Sequence, residues 1–201
     1  MKYTLYKPNS KNTGAAFSFD LVNDRNNKPV LFVSMIQQHS WNDSAKTGSF
    51  KENAKNPEKS ATIKLTENEA GEFLSSFKTR IPYVAFHKKD DSTTIIKLTP
   101  WDKARKVKEQ NGEQSFNTPA WGFSVSKNSS QLFKLPIEAG EAEVLSELFR
   151  VYITKVLESS GNEYKKEDRP QQYQKKAPRK EYQEKSTAAV VAESEEDDVP
   201  F

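Results

Sequence analysis

Aromatic rings set among cations, in polar stretches that offer no core to join, are the side chains with the clearest chemical potential. Between residues 38 and 60 stand Trp41, Lys46, Phe50, Lys51 and Lys55; between residues 100 and 119 stand Trp101, Lys103, Arg105, Lys106, Lys108 and Phe116. Cations track phosphates and aromatic faces stack bases, and the two together hold a single nucleic-acid strand without reading its sequence. Stacking contributes about 1–3 kcal/mol per base, so two or three such rings outweigh a small net charge. Lys64, Lys97 and Lys134 add cations on strand faces expected to point outward, where the alternative is an ordinary solvated lysine. Phe17, Phe19, Phe123, Phe133 and Trp121 sit in alternating apolar surroundings and belong to the core instead. The alternative for Trp41 and Trp101 is that each pins its own loop to the body.

The chain end has a different chemistry. Glu193, Glu195, Glu196, Asp197 and Asp198 lead into Val199, Pro200 and Phe201. Five carboxylates this close repel one another and stay solvated. Pro200 stiffens the last residues, and Phe201 offers a ring beside the free α-carboxylate. That is a small ligand for a partner protein: a ring for an apolar pocket, a carboxylate for a basic group, and acids for a basic rim. The alternative is a solvating acidic tail. The run Glu195-Glu196-Asp197-Asp198-Val199-Pro200-Phe201 resembles the tip of bacterial and phage single-stranded-DNA-binding proteins, with Val where that tip usually has Ile. The resemblance implies recruitment of replication, recombination and repair enzymes through Asp197, Asp198, Val199, Pro200 and Phe201.

Catalysis finds little support. His39 and His87 are the only histidines and stand outside metal-ligand spacings, there is no cysteine, and no phosphate-cradling glycine loop or nucleophile motif occurs. The chain reads as non-enzymatic and without cofactor. Lacking a signal peptide and a long apolar run, it is expected in the cytoplasm of a bacterial cell, or of an infected host if phage-encoded. The formal charge is +3. Residues 161–192 carry eight basic and five acidic side chains and residues 193–201 five acids, which leaves the first 160 residues at +5. A mildly basic body with an acidic end suits a polyanion and a separate basic partner.

The elements that must position these groups follow from periodicity. Alternation predicts strands over Tyr3–Tyr6, Ala15–Val22, Val30–Gln37 and Ser60–Thr66. Val30–Gln37 is apolar on both faces, so it is covered twice or lends one face to a ligand or another subunit. A capping box, Thr66-x-x-Glu69, opens a helix striped by Ala70, Phe73, Leu74 and Phe77 that ends before Pro82. Further strands are expected over Tyr83–His87, Thr93–Thr99, Trp121–Ser126 and Leu132–Ile137. A last helix follows over 139–159, striped by Val144, Leu145, Leu148, Phe149, Tyr152, Ile153, Val156 and Leu157 and stopped at Gly161. Residues 38–60 and 100–119 read as long polar loops, one in each half.

Four strands and a helix, twice over, make an α+β arrangement of two antiparallel four-stranded sheets each backed by a helix. The order of elements resembles the plant Whirly proteins and the related transcription coactivator PC4, which bind single-stranded DNA. Gly14-Ala15-Ala16-Phe17-Ser18 stands where Whirly proteins carry a Lys-Gly-Lys-Ala-Ala-Leu-Ser segment, with only Lys11 near in place of the paired lysines. The structural alternative is an OB-fold with insertions. The domains expected are a single-stranded-DNA-binding body over 1–160, a disordered linker over 161–192 and an acidic partner-binding tip over 193–201.

The function expected is sequence-independent binding of single-stranded DNA in replication, recombination and repair, with a helicase, primase, polymerase or recombination mediator recruited through the tip. The alternatives are an RNA-binding or PC4-type transcription-regulating module whose tail inhibits in cis, and a protein–protein adaptor. The Phe32/Ile36 face or the last helix is expected to bury against another copy, giving at least a homodimer.

Overall fold

Alternation in the first 65 residues becomes an antiparallel meander. In the structure, a computed structural model that describes residues 1–109 and 112–167, β1 (Lys2–Lys7), β2 (Ala15–Asn23) and β3 (Pro29–Gln37) pair in sequence. A small hairpin of β4 (Ser40–Asn42) and β5 (Thr47–Ser49) and a 3-10 turn over Glu52–Lys55 intervene before β6 (Ser60–Leu65). That strand completes the sheet in the order β1-β2-β3-β6. Register aligns the apolar residues in rows: Phe17, Met35 and Ala61; Phe19, Val33 and Ile63; Leu21, Leu31 and Leu65. A one-residue slip would turn all of them to the other face.

Helix α1 (Glu67–Thr79) starts on the expected capping box: Thr66 Oγ1 accepts from the Glu69 N–H, and the Thr66 N–H donates to the Glu69 carboxylate. It ends at Arg80, whose left-handed backbone (φ 61°) lets its N–H reach the Ser76 carbonyl before Pro82. The second meander consists of β7 (Tyr83–Lys89), β8 (Ser92–Glu109), β9 (Gly112–Lys127) and β10 (Gln131–Glu138), again in chain order, followed by α2 (Ala139–Glu167). Its apolar rows are Tyr83, Leu98, Phe123 and Leu135, and Ala85, Ile96, Val125 and Phe133.

Both sheets and both helices bury these rows in one core. Phe17 and Phe73 each approach Phe123 edge-on at 5.1 Å, Phe73 meets Phe149 at 5.6 Å, and Phe77 packs on Trp121 at 5.1 Å. Edge-on pairs use the ring quadrupole as well as burial. Two buried polar groups find backbone partners across elements: Tyr152 Oη donates to the Leu65 carbonyl and the Trp121 indole N–H to that of Ser76. Burial pushes the Tyr152 hydroxyl up to about 12. Phe17, Phe19, Trp121, Phe123 and Phe133 are core, as expected.

The structure corrects the sequence reading in three places. Residues 100–109 and 112–119 form the outer part of the β8–β9 hairpin instead of a loop. The burial that drives alternation is missing there, because a solvated ribbon is held by its ladder and cross-strand pairs. Helix α2 runs through Gly161 to Glu167; a helical glycine costs about 1 kcal/mol, too little to stop a helix on its own. Val144 and Leu157, placed in its buried stripe by periodicity, are exposed. The expected tip, and the linker beyond Glu167, lie outside the described residues.

Candidate nucleic-acid interface

The β8–β9 hairpin outgrows its sheet. β7 pairs with β8 only as far as Leu98 and β10 with β9 only from Ala120, so Asp102–Glu109 and Gly112–Pro119 form a two-stranded arm. Strand alternation puts Lys97, Trp101, Lys103 and Arg105 on one face, with Thr118 and Phe116 directly across from Lys103 and Arg105. Lys134 joins the same face through the row Val84, Lys97, Ser124, Lys134. Trp101 is 42% and Phe116 46% exposed, rings presented to solvent rather than packed away. Lys106 falls on the opposite face, and Lys108 lies opposite Glu113 in register.

The root of the arm is tied down by charge. Glu138 pairs by register with Ala120, and Ala120 with Trp101. Its carboxylate takes a 2.5 Å bond from Lys103 Nζ and an ion pair from Arg105, with Lys7 Nζ at 3.7 Å. Hydrogen bonding from Lys103, opposed by partial burial and reinforced by the Lys7 charge and by Arg105, holds the Glu138 carboxyl below its ordinary value. Lys7 also binds Glu141 at 2.5 Å, and Glu141 accepts the Glu138 backbone N–H at 2.8 Å. On the other side Arg80 Nη2 donates to the Trp101 carbonyl (3.1 Å) and to Asp102 (2.9 Å).

The Trp41 hairpin is seated differently. Gln38 is buried; its Oε1 accepts from the Asn9 N–H, and its Nε2 donates to the carbonyls of Asn9 and Ser40 and to the Asn12 side chain. A Cβ on Gly14 would lie 2.4 Å from both Gln38 Oε1 and the Lys7 carbonyl, and one on Gly48 would lie 2.5 Å from Pro8 Cβ. Both glycines are therefore close-approach positions. Gly48 stands across from Trp41. Trp41 is half-buried, and its indole N–H donates to Asp43 Oδ1 at 3.1 Å. Lys46, in the left-handed region at the turn, places Nζ 3.8 Å from the same Asp43. Phe50 packs edge-on against the exposed Tyr6 at 5.9 Å, and Lys51, exposed, precedes the 3-10 turn.

The structure thus brings together most of the expected residues. Lys7 reaches Glu138 at the arm root, and the adjacent Pro8 lies under Gly48 opposite Trp41, so two consecutive residues of the β1 end connect both aromatic sites. Lys64 stands apart: on the outer face of the first sheet, opposite Phe32, it lines a cleft with His87, Lys89 and Lys127. Sequence reasoning missed Tyr6, Lys7, Gln38, Arg80 and Glu138. Tyr6 had a signal, since Leu5 facing inward turns its neighbour out. Glu138 had a weaker one, three residues ahead of Glu141 at a helix start. Lys7 had none and Gln38 almost none, because apart from Ser40 their partners are remote in sequence. Among the described residues no group of metal-ligating side chains converges, and no helix is long and apolar enough to cross a membrane.

Two four-stranded meanders, each followed by a helix, define an α+β fold of the Whirly/PC4 type, and an OB-fold is not what the chain adopts. The chain is similar to the crystal structure of WHY1 from Arabidopsis thaliana, with a TM-score of 0.51 and 13% identity over 83% of this chain and 92% of that one. It is similar to WHY3 from the same plant (0.50, 13%, covering 84% and 95%) and to the plant transcriptional regulator PBF-2 (0.50, 14%, covering 83% and 88%). At such identities the likeness is one of fold. No protein-family model and no curated protein matches the sequence.

Proposed function

We propose that this chain binds single-stranded DNA without sequence preference during replication, recombination and repair, acting without catalysis and recruiting partner enzymes through the tip Asp197–Phe201. The observation that carries the first part is the arm: Trp101, Lys103, Arg105 and Phe116 share one exposed face, rooted beside the Trp41 hairpin. Rings and cations on one surface are what a flexible polyanion with unpaired bases requires. The Whirly/PC4-type fold supports nucleic-acid binding. The sequence of the tip supports recruitment, with the body, linker and tip acting as three units.

The test is affinity for oligo(dT), RNA and duplex DNA of equal length at matched salt. Preference for oligo(dT), weakening as salt rises through counterion release, is the expected result. Equal or tighter binding of duplex refutes it. Removing Phe201 should end partner recruitment and leave DNA binding intact. A second reading, a transcription-regulating module, is favoured by the likeness to PBF-2 and would show as preference for particular promoter sequences. The protein is expected to work in the cytoplasm as at least a homodimer. Val144 and Leu157, exposed on α2, and Phe32, exposed on β3, are the apolar side chains a second copy would cover, and sedimentation reads the outcome.

A further inference from the structure

Glu138 sits among cations in the way a phosphate would. Two oxygens of one group meet Lys103 on one side and Arg105 on the other, with Lys7 next in distance. These cations come from strands far apart in sequence, β1 and β8, and converge beside Trp101, the exposed ring of the arm. An arm that needed only anchoring already has the Arg80 contacts to Trp101 and Asp102. The Glu138 side chain is 25% exposed and its Lys103 and Arg105 partners 38% and 50%, so solvent and an incoming phosphate can reach the cations.

We propose that Lys7, Lys103 and Arg105 form a phosphate-binding subsite and that Glu138 is its internal competitor, setting how tightly the arm holds a nucleic-acid backbone. This rests on the single-stranded-DNA reading and adds to it the groups that take a phosphate and the group that opposes it. Lys7 keeps Glu141 as a partner when Glu138 is neutral, so neutralisation frees two cations, Lys103 and Arg105.

Glu138→Gln tests this in the full chain. The amide keeps the shape and an acceptor oxygen but removes the charge. Each freed cation that meets a phosphate steepens the salt dependence by about 0.7 for a single strand, or about eight-fold in affinity at 50 mM salt relative to 1 M. Glu138→Gln should therefore bind oligo(dT) about 8- to 60-fold more tightly at 50 mM, converging with the wild type near 1 M. Glu147→Gln removes an equal charge from the Arg150 pair on α2 and should change little. Where the wild type binds oligo(dT), unchanged or weaker binding by Glu138→Gln, or an equal gain from Glu147→Gln, overturns the proposal.

Inorganic tripolyphosphate is the second probe and needs no base stacking. Glu138→Gln should bind it more tightly than the wild type, and Lys103→Gln/Arg105→Gln in that background should abolish the gain. A tripolyphosphate gain without oligo(dT) binding by any form supports the subsite and refutes the single-strand reading. Absence of that gain, with oligo(dT) bound normally by the wild type, refutes the subsite alone.

Discussion

The Trp41 hairpin and the Trp101 arm present similar side chains on opposite physical principles. The hairpin is held by a buried amide, Gln38, whose bonds reach Asn9, Asn12 and Ser40, and by two glycines that let backbone segments touch. The arm stands clear of its sheet, held by its own ladder and by ion pairs at its root. Neutral buried bonds resist salt and pH, whereas exposed charge pairs yield to both. One aromatic site is therefore fixed to the body, and the other is adjustable.

The largest test of that contrast is Gln38→Ala. It leaves the Asn9 N–H and several carbonyls short of partners, at about 1–3 kcal/mol per buried unsatisfied group. A loss of about 2–4 kcal/mol, some 5–15 °C in melting temperature for a body this size, is expected by calorimetry. Asp102→Ala, which cuts the exposed Arg80 pair on the arm, should cost under about 1 kcal/mol. Equal losses would erase the distinction between the two regions.

Next in size is the split between the tryptophans. Trp101→Ala and Trp41→Ala should each weaken oligo(dT) binding by about 1–3 kcal/mol, read by fluorescence titration. Only Trp41→Ala should also lower the melting temperature, because its ring is half-buried in the seated hairpin. A large stability loss from Trp101→Ala would make that ring a structural pin.

What could be read from sequence follows the same divide. Burial leaves a periodic trace, so the strands carrying Phe17, Phe19, Phe123 and Phe133, and the Thr66/Glu69 capping box, are legible from residue spacing alone. The arm was not, since none of its residues whose burial is described is buried, and without burial alternation leaves no apolar trace. Trp41, Trp101, Lys103 and Arg105 could be singled out as ring-and-cation sets. That Lys106 faces away from them, and that Glu138 and Lys7 join them, depends on strand phase and on pairings across more than thirty residues. Composition carries neither.

A smaller effect separates the regions by pH. The Glu138 carboxyl has a folded value below its ordinary one, so its contribution is full above the ordinary carboxylate range near 4.3 and is lost as pH falls through the lowered value. The Arg105 guanidinium signals in an NMR titration should therefore shift only as pH falls below that range, while the Gln38 side-chain amide, bonded to neutral groups, stays in place. Movement of both together would mean that acid loosens the body as a whole.

The smallest effect is that of salt. Raising sodium chloride from 0.05 to 1 M shortens the screening length from roughly 14 to 3 Å, enough to weaken the half-exposed Arg105–Glu138 and Lys103–Glu138 pairs. Each exposed pair contributes about 1 kcal/mol or less, so amide exchange over Lys103–Val107 should quicken by no more than a few-fold. The His39 N–H, bonded at 2.8 Å to the Ser49 carbonyl beside the Gln38 anchor, should exchange at an unchanged rate. If the arm's amides ignore salt as His39 does, its ladder alone holds it in place. In that case neutralising Glu138 could alter binding only through the charges it frees, and the arm would be as rigid as the hairpin it is contrasted with.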